Sequence, residues 1–111
     1  MKELETFDGV LSHTEGEGFT SLTGRSIVID FYADWCGPCK VSSPAVEKLS
    51  EEMPNVDFYK INVDKTPELA AHFAIKAIPT FVVITPESKI ATRMGWEGEE
   101  NFKKFVESSI I

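Results

Sequence analysis

The residues best suited to chemistry are two cysteines, which lie in the run Trp35-Cys36-Gly37-Pro38-Cys39-Lys40. A β-branched and aromatic run over 27–32 precedes them and a helical pattern follows, so we predict that both lie in the first turn of a helix. That placement brings the two sulfurs within bonding reach. The free N–H groups and positive dipole end of a helix N-terminus favour a thiolate at Cys36. The motif therefore predicts a redox dithiol, with Cys36 exposed and reactive and Cys39 buried.

Two other interpretations of the cysteines remain open: a buried structural pair, or two ligands of a zinc ion. Tetrahedral zinc needs four ligands. The only histidines are His13 and His72, which have no ligand-like spacing in the sequence. We expect no metal, and we expect no bound cofactor because the chain has no Gly-rich nucleotide-binding loop.

Hydrophobic patterns predict the elements that must position the motif. Strands are predicted over 27–32, 56–63, 80–85 and 90–94. Helices are predicted from Cys36 to just before Pro54, from an N-cap at Thr66 to Phe73, and around Phe102 to Ile110. In the first helix, the predicted apolar face repeats every four residues: Val41, Ala45, Leu49 and Met53.

The first 25 residues are the least readable part of the chain, because glycines interrupt any long period. A short strand over 4–7 and a helical turn over 19–22 are our predictions there. From Ser26 onward, strands alternate with helices and a strand pair precedes the last helix. This order predicts parallel strands with an antiparallel pair at one edge.

Length and charge restrict the class of protein. The chain has 111 residues, which fits one domain spanning 1–111, and its net charge is −7. No basic stripe is present, so we expect neither nucleic acid nor a membrane as a partner. The longest uncharged run, 77–86, is too short to span a bilayer. The sequence begins without a basic region leading into an apolar run, so we expect a cytoplasmic protein.

The run from Asp30 to Lys40 resembles the signature of the thioredoxin family, including the Gly-Pro pair between the cysteines. Further downstream, similar positions are Pro44, Lys60, Ile78-Pro79-Thr80 and Gly95, and the resemblance covers residues 26–107. It implies an α/β thioredoxin fold, with a central mixed sheet of parallel strands plus an antiparallel C-terminal hairpin and helices on both faces. It also implies a cis bond between Ile78 and Pro79. Tyr32 and Ser43 depart from the pattern, which commonly has Trp at the first position and a small apolar residue at the second.

The same resemblance implies the function: a thiol–disulfide oxidoreductase that reduces disulfides in target proteins through Cys36 as nucleophile and Cys39 as resolving cysteine. It implies that Asp30 moves protons for Cys39, with Lys60 as its partner. The implied substrate groove is formed by Trp35, Gly37, Pro38, Ile78, Pro79 and Gly95. A thioredoxin reductase that uses flavin and NADPH would recycle the chain, which we expect to be a monomer.

Two rival functions remain open at this point. An oxidase or isomerase of the same fold would have a higher reduction potential than a reductant. A binding module with incidental cysteines would keep its function after both cysteines are replaced by serine.

Overall fold

The computed structural model describes residues 1–14 and 18–111. The elements in that part of the chain follow the order β1 (Lys2–Glu3), β2 (Leu11–Thr14), β3 (Gly18–Ser21), β4 (Ile27–Tyr32), α1 (Gly37–Glu52), β5 (Asp57–Asn62), α2 (Pro67–His72), β6 (Thr80–Ile84), β7 (Ile90–Met94) and α3 (Glu99–Ser109). No helix there is both long and apolar enough to cross a membrane.

Five strands form one sheet in the order β1-β5-β4-β6-β7, with β4 at its centre. Strand β4 pairs in parallel with β5 and antiparallel with β6, and β7 continues the antiparallel edge. Strand β1 adds to the other edge by pairing in parallel with β5. The predicted mixed sheet with its antiparallel C-terminal hairpin is confirmed.

Successive side chains of β4 point to opposite faces of the sheet, which divides the core in two. Val28 packs on one face with residues of α1 and α3, including Val46, Leu49, Phe102 and Val106. Ile27, Ile29 and Phe31 pack on the other face with α2 and the β2–β3 hairpin. Asp30 has the same parity as Val28, so it points to the face covered by α1 and α3.

Helix α1 begins directly after Cys36, as predicted, and has Pro44 in its interior. Its buried face differs from the prediction: Val41 is 66% exposed, and the buried residues are Cys39, Ser42, Val46 and Leu49. A repeat of four residues drifts around a helix of 3.6 residues per turn, so such a series leaves the core face.

At the start of α2, Thr66 is the N-cap residue by position, as predicted. Its hydroxyl does not cap the helix but donates to the Asn62 carbonyl oxygen.

The predictions for the N-terminal segment were wrong in detail. The edge strand is Lys2–Glu3 rather than 4–7, and residues 18–21 form a strand rather than a helical turn. Strand β3 pairs antiparallel with β2 and alternates between half-buried and buried residues, which is a strand pattern. Gly18 has φ of +85°, a conformation that glycine adopts without strain, at the beginning of this strand.

Aromatic side chains pack the β2–β3 hairpin against the sheet. The Phe19 ring stacks on Phe73 with centroids 4.1 Å apart, and Phe7 meets Phe73 edge-on at 5.7 Å. Phe73 in turn lies 5.5 Å from Phe31 of β4. A hairpin of two short strands is marginal in water, so its stability depends on this packing.

Replacing Phe19 with Ala should therefore lower the free energy of unfolding by about 3–5 kcal/mol, the usual cost of emptying a buried phenylalanine site. Leu22→Ala is the control: Leu22 is 52% exposed, and its truncation should cost about 0.5 kcal/mol or less. Urea unfolding measures both. Equal losses for the two variants would contradict the docked hairpin.

Candidate active site

Cys36 and Cys39 form a disulfide at the N-terminal end of α1, with Cα atoms 5.3 Å apart. Cys36 is the N-cap residue, and its Sγ accepts a hydrogen bond from the Cys39 backbone N–H at 3.2 Å. A sulfur in this position lies at the positive end of the helix dipole and beside free backbone donors. The same position stabilises a thiolate once the bond is reduced.

The predicted exposure of Cys36 is not found in this disulfide form, in which the residue is only 3% exposed and Cys39 is 2% exposed. The pair packs with Ala33, and Tyr32, Val63 and Ile78 lie against it. The disulfide is therefore covered by side chains that a substrate must approach closely.

Beside the cysteines lies an open, largely apolar groove of about 410 Å³. Of the residues predicted for substrate binding, Trp35 and Ile78 line it. The other lining residues were not predicted from the sequence: Val63, Ala70, Ile75, Lys76 and Ala77. Most of these lie in α2 and in the connection from α2 to β6, which has no periodic pattern that could have identified them. Trp35 is 69% exposed, and its indole N–H donates to Asp64 Oδ2 at 2.7 Å.

The remaining predicted substrate residues lie around the same end of the sheet. The bond between Ile78 and Pro79 is cis, as predicted. The Gly95 N–H donates to the Pro79 carbonyl oxygen at 2.7 Å, which joins the two loops. Gly95 has φ of +83°, where a larger side chain would be strained. Gly37 and Pro38, in the first turn of α1, are exposed.

Asp30 is buried in the central strand and is only 1% exposed. Its Oδ1 has no hydrogen-bond partner among the described residues. Burial raises the pKa of Asp30 to about 7, and the positive charge of Lys60 partly opposes that rise. Lys60 lies beside Asp30 in the β4–β5 register, and its Nζ is 5.7 Å from the centroid of the Tyr32 ring.

The two histidines lie close together on the opposite face, although 59 positions separate them in the chain. The rings of His13 and His72 have centroids 5.1 Å apart, and His13 also stacks on Phe19. In the chain outside residues 15–17, no group of three or more His, Cys, Asp or Glu side chains could hold a metal ion. The histidines belong to the β2–β3 hairpin and to the end of α2, and neither lines the groove beside the cysteines.

Comparison with known proteins agrees with this geometry. The sequence profile of the thioredoxin family matches residues 10–108. A thioredoxin of Borreliella burgdorferi is 39% identical over 83 residues, which cover 74% of this chain and 71% of the relative. Thioredoxin-1 of Saccharomyces cerevisiae is 42% identical over 71 residues, which cover 64% of this chain and 69% of the relative.

Solved structures show the same similarity. The thioredoxin of Malassezia sympodialis superposes with a TM-score of 0.79 at 30% identity, covering all of this chain and 91% of the other. The thioredoxin of Fasciola hepatica superposes with a TM-score of 0.72 at 40% identity, covering 78% of this chain and 82% of the other. The chain belongs to the thioredoxin family. With its closely spaced cysteine pair at the head of α1, it is a thiol–disulfide oxidoreductase that acts as a disulfide reductase.

The raised pKa of Asp30 makes stability depend on pH. Its value is about 3.8 in the unfolded chain and about 7 in the folded one, so the folded state binds more protons between these values. Stability should fall as pH rises through this window, by about 4 kcal/mol in all. Asp30→Asn keeps the shape of the side chain and removes its charge. The variant should therefore be more stable than the parent above pH 7, and its stability should change less with pH.

Urea unfolding from pH 4 to pH 9 measures the effect. The control is Asp34→Asn, because Asp34 is exposed and its removal should change stability by about 0.5 kcal/mol or less. If the Asp30→Asn protein were less stable than the parent at pH 9, burial of the ionised Asp30 carboxylate would not be what lowers stability at high pH.

Proposed function

We propose that Cys36 is the nucleophile of this reductase and that Cys39 resolves the intermediate. The Cys36 thiolate attacks one sulfur of a target disulfide; the target's S–S bond breaks, and its other sulfur leaves as a thiolate that takes a proton. Cys39 then loses its proton and attacks Cys36 Sγ, which releases the second target thiolate. The target gains two electrons and the chain is left with the Cys36–Cys39 disulfide. The position of Cys36 as N-cap of α1 is the observation that carries this assignment.

Asp30 is proposed as the group that moves the proton of Cys39, with Lys60 as its partner. A base is most effective when its pKa lies near the working pH, and the pKa of Asp30 is about 7. Cys39 projects from the first turn of α1, and α1 covers the face of the sheet to which Asp30 points. Lys60 supports this role because its positive charge stabilises the carboxylate after the proton leaves.

The target is proposed to bind across the exposed first turn of α1 and the loops that face it. Trp35 and Ile78 would supply apolar contact, while Gly37, Pro38, Pro79 and Gly95 allow the target backbone to approach. The ring nitrogen of Pro79 carries no hydrogen, so it does not compete with the target backbone for hydrogen-bond acceptors. Main-chain contacts give affinity with tolerance for many sequences.

We further propose that the partners are disulfide-containing proteins and a thioredoxin reductase that supplies electrons from NADPH through flavin. The chain itself would work as a single-domain monomer in the cytoplasm, where thiols are kept reduced. Family membership and the cysteine pair support these assignments.

Substitution of each cysteine tests the two roles. With dithiothreitol as reductant, the parent should reduce a protein disulfide, and Cys36→Ser should lose this activity because no nucleophile remains. Cys39→Ser should accumulate a mixed disulfide with the target, visible as a mass shift that dithiothreitol removes. Trapping by Cys36→Ser instead of Cys39→Ser would reverse the roles, and full activity of Cys36→Ser would exclude this chemistry.

Alkylation of the reduced protein tests the same roles without mutation. Iodoacetamide at pH 7 should modify Cys36 about tenfold faster or more, because the helix N-terminus stabilises its thiolate while Cys39 is buried in the helix. Peptide mass spectrometry after brief labelling gives the ratio. Preferential labelling of Cys39 would contradict the assignment.

A further inference from the structure

The two histidines form a surface pair that the proposed reaction does not use. His13 belongs to β2 and His72 ends α2, and both side chains are exposed. Their ring centres are 5.1 Å apart, with the ring planes at 71° to each other. Their spacing in the sequence gave no reason to expect a shared ligand, but the packing of the hairpin beside α2 brings them together.

Aromatic side chains orient both rings. His13 lies opposite Phe19 in the β2–β3 register, and the two rings stack with centres 4.4 Å apart. Phe19 stacks in turn on Phe73, the residue that follows His72, at 4.1 Å. The Phe7 ring lies 6.0 Å from the His72 ring. The two imidazoles therefore rest on one aromatic cluster and are oriented before any ligand arrives, which favours binding.

The distance between the rings equals that of two imidazoles bound to one tetrahedral zinc ion. In such a site each bound nitrogen lies about 2 Å from the ion and about 1.2 Å from the centre of its own ring, so the ring centres are about 5.2 Å apart. With the same bond lengths, a linear arrangement needs about 6.4 Å and a square-planar one about 4.5 Å. The observed 5.1 Å fits the tetrahedral angle.

The chemistry of the pair also favours zinc. A neutral imidazole has one nitrogen lone pair to offer, and zinc is among the ions that imidazole binds well, whereas magnesium and calcium prefer oxygen ligands. The net charge of −7 attracts cations. Outside residues 15–17, no third His, Cys, Asp or Glu side chain joins the pair, so water would complete the coordination of the ion.

We propose that His13 and His72 form a two-histidine zinc site, completed by two water molecules, that links the β2–β3 hairpin to α2. With two protein ligands instead of four, the site binds zinc reversibly and is not a structural zinc centre. The folded chain holds the two rings together and the unfolded chain does not, so bound zinc stabilises the docked hairpin. Neither histidine lines the groove beside the cysteines, so the site is separate from the proposed binding of targets.

Isothermal titration calorimetry of the oxidised protein with zinc chloride tests the site. The Cys36–Cys39 disulfide is kept intact, because free thiolates would themselves bind zinc. The parent should bind one zinc ion. His13→Gln and His72→Gln should each bind zinc about tenfold more weakly or worse, because in the parent the second imidazole binds within the same molecule at a high effective concentration. Magnesium chloride should not displace the zinc.

Two further measurements identify the ligands. In proton NMR spectra of the parent, the ring signals of both histidines should change at the same zinc concentration. Zinc should also raise the midpoint of urea unfolding in the parent and not in either single variant. The matched control is Glu52→Gln, which removes an exposed carboxylate at the end of α1, on the other side of the sheet, and should bind zinc as the parent does.

If the parent bound no zinc at millimolar concentration, the site would be excluded. Unchanged affinity in both single variants would also overturn the proposal, because the ion would then lie elsewhere. Weaker binding in only one variant would exclude the pairing, since a single histidine would account for the binding. Weaker binding in Glu52→Gln than in the parent would indicate that zinc binds surface carboxylates and not the histidine pair.

Discussion

The central strand β4 is buried on both faces, and the other parts of the site depend on that constraint. Its apolar residues hold the two layers of the core, so its path and register are fixed. The chain leaves β4 at Tyr32 and enters α1 five residues later, which puts the N-terminus of α1 at the end of the most restrained strand. The cysteine pair at the head of α1 is therefore anchored next to the end of this strand.

The same burial produces the unusual electrostatics beneath the cysteines. A carboxyl group buried in a strand is hard to ionise, and the positive charge of Lys60 on the neighbouring strand partly opposes this effect. The result is a group that destabilises the folded protein when charged and that titrates near neutral pH. A pKa near neutrality agrees with the proposed role of Asp30, because an exposed aspartate would be a poor proton acceptor at the working pH.

The groove beside the cysteines combines apolar side chains with exposed backbone. Its walls are apolar side chains from α2 and the following loop, whereas the loops at Pro79 and Gly95 present backbone joined by one hydrogen bond. Lys76 is the charged side chain in this lining. Such a surface suits the proposed binding of an extended target backbone, because main-chain contacts do not demand a particular sequence.

Sequence patterns were sufficient for β4, α1, β5, α2, β6, β7 and α3, because strong apolar runs and cap residues act locally. The redox role of the cysteines followed from their spacing and placement, and the motif similarity suggested the roles proposed for Asp30 and Pro79. Two local patterns misled: the four-residue repeat beginning at Val41, and the glycine-interrupted segment around Phe19. In the second case the deciding contact, the stacking on Phe73, comes from a residue 54 positions away.

The sequence by itself thus determined the order of the elements, the reactive dithiol and the charge buried behind it, since each is encoded in neighbouring residues. Other features depend on contacts between residues that are distant in the sequence, and only the tertiary structure decided them. They are the hairpin in place of a helical turn, the closeness of His13 and His72, and the lining of the groove. A side chain's neighbours across the sheet are set by packing of the whole core, and no local pattern contains them.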